Sequence, residues 1–111
     1  DGIRGNYNHI AYSASKGGVV ALTRSLGLDL ASDNIRVNAV CPGTVDTPMV
    51  AAMLSNAPSH EAAMDMARQK HPLGRLAAAS EIASVITFLA GPGASFMTGM
   101  AVPVDGGRSV R

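Results

Sequence analysis

The strongest constraint in this sequence is a change of hydrophobic period about one third of the way along. From about Ala11 to Ala31 apolar residues recur at helical spacing, with Ala14, Gly18, Leu22, Leu26 and Leu30 on one stripe and Val19 and Thr23 beside it. That spacing predicts a long helix, ended by the turn formers Ser32-Asp33-Asn34. Ile35 to Cys41 then sets Ile, Val, Ala, Val and Cys around Arg36 and Asn38 and stops at Pro42-Gly43, which reads as a strand closed by a sharp turn. Gly17 and Gly18 each cost about 1 kcal/mol relative to Ala inside a helix. They predict that another backbone, or a ligand, comes close to that face of the long helix.

The flanking segments follow from the same rules. Residues 1 to 10, rich in Gly and Asn, read as a loop, and residues 44 to 48 leave the strand as another. Two short amphipathic helices containing methionines are expected between Pro48 and Lys70, separated by Asn56-Ala57-Pro58-Ser59. Ser80 is a good N-cap, Glu81 suits a helix N-terminus, and Ile82, Val85, Ile86 and Leu89 form a stripe ending at Gly91-Pro92-Gly93. A helix from about Ser80 to Ala90 results, followed by a short buried strand, Met100 to Val104, closed by Asp105-Gly106-Gly107. Strand, helix and strand in this order predict an α/β fold with parallel strands joined through a helical crossover. Such sheets occur with both faces covered and usually with more strands, so the parallel sheet is expected to be incomplete as given.

Composition removes several function classes. A net charge of +1, 4% aromatic residues and no Lys/Arg cluster give no basic face for nucleic acid. No apolar run approaches the roughly 20 residues that cross a bilayer, so no membrane partner is expected. The single cysteine, Cys41, lies in the apolar run from Val37, where it packs as a small hydrophobe and points to a reducing, cytoplasmic setting. No His, Cys, Asp or Glu cluster has metal-ligand spacing, and no metal is expected.

Chemistry concentrates at the start of the long helix. Tyr12-Ser13-Ala14-Ser15-Lys16 puts a phenol and an ammonium four residues apart, on one helical face and within reach of one bound molecule. A phenol with an ordinary pKa of about 10 is a poor acid or base at neutral pH, and a fixed cation nearby favours its ionised form. By itself this spacing is equally that of a surface tyrosine beside a solvated lysine.

The wider pattern separates the two readings. Tyr12-Ser13-Ala14-Ser15-Lys16-Gly17-Gly18-Val19 resembles the active-site helix of the short-chain dehydrogenases/reductases, and Ile35 through Pro42-Gly43 resembles the strand that follows it. Thr44-Val45-Asp46-Thr47-Pro48 is similar to that family's loop over the nicotinamide, and Thr98-Gly99 through Val104-Asp105-Gly106-Gly107 to its last strand and closing turn. The resemblance covers essentially the whole sequence. It implies one NAD(P)-binding domain with a Rossmann-like doubly wound parallel sheet, of which residues 1–111 are the C-terminal fragment, and an oxidoreductase that interconverts an alcohol and a ketone or aldehyde with NAD or NADP. Tyr12 would be the general acid/base, while Lys16 would lower its pKa and bind the nicotinamide ribose. Pro42 and Gly43 would turn the backbone beneath the nicotinamide, Val45 would offer backbone groups to the carboxamide, and Thr44 and Thr47 would contact the same end of the cofactor. Pro42-Gly43 is also an ordinary strand-to-loop turn, and Thr47 before Pro48 an ordinary helix N-cap.

The family's catalytic serine is expected just ahead of Asp1, and its glycine-rich phosphate loop, its NAD-or-NADP selector and its catalytic asparagine segment are likewise expected outside these residues, leaving the fragment inactive alone. Met49, Met53, Met64 and Met66 fall in the segment that closes over substrate in that family, though core filling is the expected use. Tyr7 and His9 are candidates to line a substrate pocket, and His60 and His71, beside turn residues, are expected in solvent. A dimer or tetramer is expected of the full-length protein. The rival reading is a non-catalytic interaction module, in which the long helix and the helix from Ser80 are docking surfaces.

Overall fold

The helical period of the first third becomes α1, Ile10–Asp29, in the computed structural model, which describes residues 1–3, 7–55 and 57–110. Arg4, Gly5 and Asn6 of the expected first loop, and Asn56 of the later one, lie outside the described residues. The helix stops where the turn formers predict: Leu30 bonds back to Leu26, Ala31–Asp33 form a 3-10 turn, and Asn34 takes the left-handed conformation at φ 59°. By contact the chain divides into two units, Asp1–Cys41 with Ile86–Val102 and Pro42–Val85 with Pro103–Arg111.

In the first unit the buried face of α1 is Val20, Thr23 and Gly27. The expected stripe is therefore corrected: Leu22 is 56% exposed, and Ala14 and Gly18 are exposed too. The reason is that α1 carries apolar residues on several sides, so its period cannot choose a face, and a small residue decides where backbone can approach. That residue is Gly27, since a Cβ there would lie 2.7 Å from the backbone of Gly99. Among the described residues nothing comes within 4 Å of a Cβ built on Gly17 or Gly18, so the close approach expected there is found two turns later. Thr23 buries its hydroxyl by donating to the Val19 carbonyl at 2.8 Å.

The expected strand from Ile35 to Cys41 is shorter than its pattern suggests. β1 is Ala39–Pro42, and it pairs with β2, Ala101–Val104, in a two-stranded sheet. Ala39 N–H donates to Met100 and Gly43 N–H to Val104, an equal advance on both strands that makes the pair parallel, as expected. Ile35 to Asn38 stand outside the named strand: Ile35 N–H donates to Leu30, Val37 accepts from Gly99 N–H and donates to the Thr98 hydroxyl, and two side chains add further bonds. Arg36 donates to the carbonyls of Leu89, Ala90 and Gly91, and Asn38 bridges Met97 and Met100. Because Ala39 and Gly43 donate to β2, the N position of Pro42 faces away from it, and the missing donor leaves no gap in the ladder.

The second unit contains the two expected short helices, α2, Pro48–Ser55, and α3, His60–Gln69. Ser59 caps α3 by accepting from Ala62 N–H. The last helix, α4, Ala79–Ala90, starts in this unit and ends in the first. Ser80 is not its N-cap but lies within it. Glu81 reaches back to accept the Ala78 N–H at 2.8 Å, the glutamate half of a capping box without its serine. Of its expected stripe Ile82 and Leu89 are buried, while Ile86 is half exposed. Met49, Met53 and Met66 stand largely in solvent, so they do not fill a core within the described residues. Among the described residues, no helix is long and apolar enough to cross a membrane.

Candidate active site

Tyr12 and Lys16 lie in the first unit, in the opening turns of α1. Helical geometry places them on one face, and the Lys16 ammonium sits over the Tyr12 ring, 5.2 Å from its centroid. Tyr12 is 53% exposed, so its hydroxyl is open to a ligand. The His9 ring meets Tyr12 edge-on at 5.8 Å, and its Nδ1 lies 2.8 Å from an Asp1 carboxylate oxygen. Ser15 donates to the Tyr12 carbonyl at 2.7 Å. Of the two candidate pocket residues, then, His9 stands beside Tyr12, whereas Tyr7 is almost entirely in solvent.

Pro42, Gly43, Thr44, Val45 and Thr47 follow one another in the second unit, where β1 runs into α2. Val45 forms a parallel bridge with Ala77: Ala77 N–H donates to the Thr44 carbonyl at 3.0 Å, and Asp46 N–H donates to the Ala77 carbonyl at 2.8 Å. Those bonds flank Val45, so its own N–H and C=O point to the opposite side of the strand. The Thr47 hydroxyl accepts from Val50 N–H at 3.4 Å and caps α2, with Pro48 in the first helical position. Thr44 Oγ1 accepts from Arg108 at 3.4 Å.

The residue that anchors this loop is His71, and the expectation that it is solvated is wrong. It is 3% exposed. Its Nε2 accepts the Thr44 N–H at 3.0 Å, and its Nδ1 lies 3.0 Å from the Ala67 carbonyl. The chain past α3 turns inward because Leu73 N–H donates to Gly106, pulling the segment against the end of β2. The ring also explains Gly43: a Cβ there would lie 2.7 Å from His71 Nε2 and 3.0 Å from the Asp105 Cα. His60, by contrast, is exposed as expected.

Two acids complete this unit. Burial raises the pKa of Asp105, but hydrogen bonds from Ser109 and Gly107 together with the nearby His71 ring outweigh it, and the carboxyl ends below its usual range. Glu81 is held at about 2 by the Arg75 guanidinium, which it grips through both oxygens at 2.7 Å, and by the Ala78 N–H. Gly43, Thr44, His71, Arg75, Glu81 and Gly106 line a cavity of about 290 Å³. Among the described residues, no group of three or more His, Cys, Asp or Glu could hold a metal ion. Sequence reasoning missed His71 and the Arg75–Glu81 pair. The capping spacing of Glu81 to Ala78 was a usable signal for the second; nothing local marked the first.

The family model described as enoyl-(acyl carrier protein) reductase matches residues 2–109. A tropinone reductase homologue of Arabidopsis thaliana is 46% identical over 89% of this chain and 35% of its own length. A putative ketoacyl reductase of Streptomyces coelicolor is 44% identical over 96% of this chain and 42% of its own. The chain thus spans about two fifths of the length of the curated relatives it matches. In solved structures, an actinorhodin polyketide ketoreductase variant with NADPH superposes with a TM-score of 0.92 at 43% identity, covering 99% of this chain and 44% of that one. A short chain dehydrogenase family protein from Francisella tularensis gives 0.92 at 39% identity, covering 96% and 46%. The match over nearly every residue, with the α/β fold that those structures share, places this chain in the short-chain dehydrogenase/reductase family.

Proposed function

We propose that this chain supplies the proton-transfer pair and the nicotinamide-side loop of an NAD(P)-dependent oxidoreductase that interconverts an alcohol and a ketone or aldehyde, as one part of a single NAD(P)-binding domain. The observation that carries the reading is the placement of an exposed phenol and an ammonium on one helical face, Lys16 Nζ 5.2 Å from the Tyr12 ring. The names of the relatives, reductases of carbonyl compounds, and the NADPH in the actinorhodin ketoreductase structure support the class of reaction.

The donor set suits a nicotinamide. Val45 has a backbone N–H and C=O that the Ala77 bridge does not use, a complementary pair for a carboxamide. Thr47 uses its oxygen to accept from Val50 and keeps a hydroxyl proton to donate. Thr44 is fixed on both backbone sides, by His71 and by Ala77, and Pro42 and Gly43 set the turn that leads to it. Bound at this loop, NAD or NADP supplies or takes up the hydride. In reduction Tyr12 gives its phenolic proton to the carbonyl oxygen as that oxygen gains charge; in oxidation the phenolate removes the alcohol proton. Lys16 stabilises the phenolate by its charge and offers donors to the ribose hydroxyls. Assembly into a dimer or tetramer belongs to the same reading, supported by the exposed Val19 and Leu22 of α1.

The test is Tyr12→Phe in the full-length protein that carries this sequence. Turnover falls by about 10²- to 10⁴-fold while the cofactor dissociation constant stays within about twofold. Undiminished turnover would remove Tyr12 from the reaction, and absence of turnover in the unsubstituted protein would leave a non-catalytic interaction module.

A further inference from the structure

We infer that His71 is a positioning residue for the nicotinamide-side loop, holding Thr44 through the lone pair of its ring nitrogen Nε2. The inference rests on the function proposed above and adds to it a residue outside the loop.

Both ring nitrogens face backbone groups that cannot change their character. The Ala67 carbonyl only accepts, so Nδ1 carries the hydrogen; the Thr44 N–H only donates, so Nε2 carries the lone pair. The neutral Nδ1–H tautomer is thereby dictated. The ring cannot swing away, being 3% exposed, with Gly43 against Nε2 and Gly106 against its Cβ. Removing the Nε2 acceptor would take away the bond that holds the residue just before Val45.

The groups around the ring hold it in place. Asp105, after β2, faces it with a carboxylate that is itself fixed by Gly107 and Ser109 N–H groups. Arg108 is bonded to the Thr44 hydroxyl. The Ala77 bonds to Thr44 and Asp46 do not depend on His71, so without the ring the loop loosens at one end and does not detach.

The experiment is a fluorescence titration of NADH and NADPH into the full-length protein near neutral pH, with His71→Gln and His71→Leu beside the wild type. His71→Gln, whose amide oxygen accepts as Nε2 does, binds within about twofold of the wild type, and His71→Leu raises the dissociation constant about three- to tenfold, the scale of one lost hydrogen bond. Without cofactor, the Thr44 amide proton of His71→Leu moves upfield and that of His71→Gln stays near the wild-type position. Equal affinity in all three proteins would overturn the inference while Tyr12→Phe still tests the enzyme reading. If His71→Leu does not fold, a wild-type Thr44 amide proton that exchanges with solvent as fast as an unbonded one overturns it equally. Absence of any NADH or NADPH binding by the wild type would overturn both readings.

Discussion

The Tyr12–Lys16 face in the first unit and the Thr44 loop in the second are built in opposite ways. The first is local: its two functional groups are four residues apart, and Ser15, His9 and Asp1 brace it from within a dozen residues. The loop is assembled from a distance, with Thr44 held by His71 27 positions onward and by Arg108 64 positions onward. A local arrangement survives as long as the helix does, so a substitution there should remove chemistry and leave the fold. In the loop each partner carries a share of the positioning, and substitutions should act by degrees.

The sharpest way to break this contrast is Lys16→Ala in the full-length protein. Losing both the charge near the phenol and the ribose donors, it should lower turnover by at least about 10²-fold and weaken cofactor binding together, with the melting temperature unchanged within a degree or two. A large loss of stability would show that the pair is structural after all. Next in size is Gly43→Ala, whose Cβ would meet His71 Nε2 at 2.7 Å. It should cost about 1–3 kcal/mol of stability by overpacking, read by urea unfolding. A neutral result would mean that His71 is not fixed behind the loop.

The glycines of α1 test the helix in the same way. Gly27→Ala should destabilise, because its Cβ would lie 2.7 Å from Gly99, while Gly17→Ala, with open space around it, should gain about 0.5–1 kcal/mol. A loss at Gly17 would show that a further chain covers that face. The smallest effect concerns the Arg75–Glu81 pair. The Glu81 pKa is lower in the folded state, about 2, than its ordinary 4.5, so its contribution is present above that ordinary value and fades as the pH falls through about 2. Glu81→Gln should lower stability slightly near neutrality and flatten the profile in that window.

How much of this could be read from the sequence depended on how far apart the partners were. α1, α2, α3 and α4 were legible because helix signals repeat within a few residues, and so was the Tyr12–Lys16 spacing. The buried side of α1 was not, since Gly27 is selected by Gly99, 72 residues away, and no period encodes that choice. The strand was overextended for a related reason: Arg36 and Asn38 fit the alternation, but their side chains spend themselves on residues 89–100. His71 sits between Lys70 and Pro72 and has the look of a turn residue. Its role rests on Thr44, Ala67 and Gly43, which only folding brings to it.

Arg36 also imposes an order of assembly. Its guanidinium gathers carbonyls at the end of α4 that lie 53 to 55 positions further along the chain. On a growing polypeptide the arginine is therefore made long before anything it will hold, and α4 must finish before the clasp can shut. Contacts of such separation form only after the intervening loop has closed, and we predict that this one forms late, after the folding barrier. Arg36→Lys keeps the charge and loses the planar fork. The molecule would fold at nearly its normal rate and come apart faster, with the end of α4 the first part to fray.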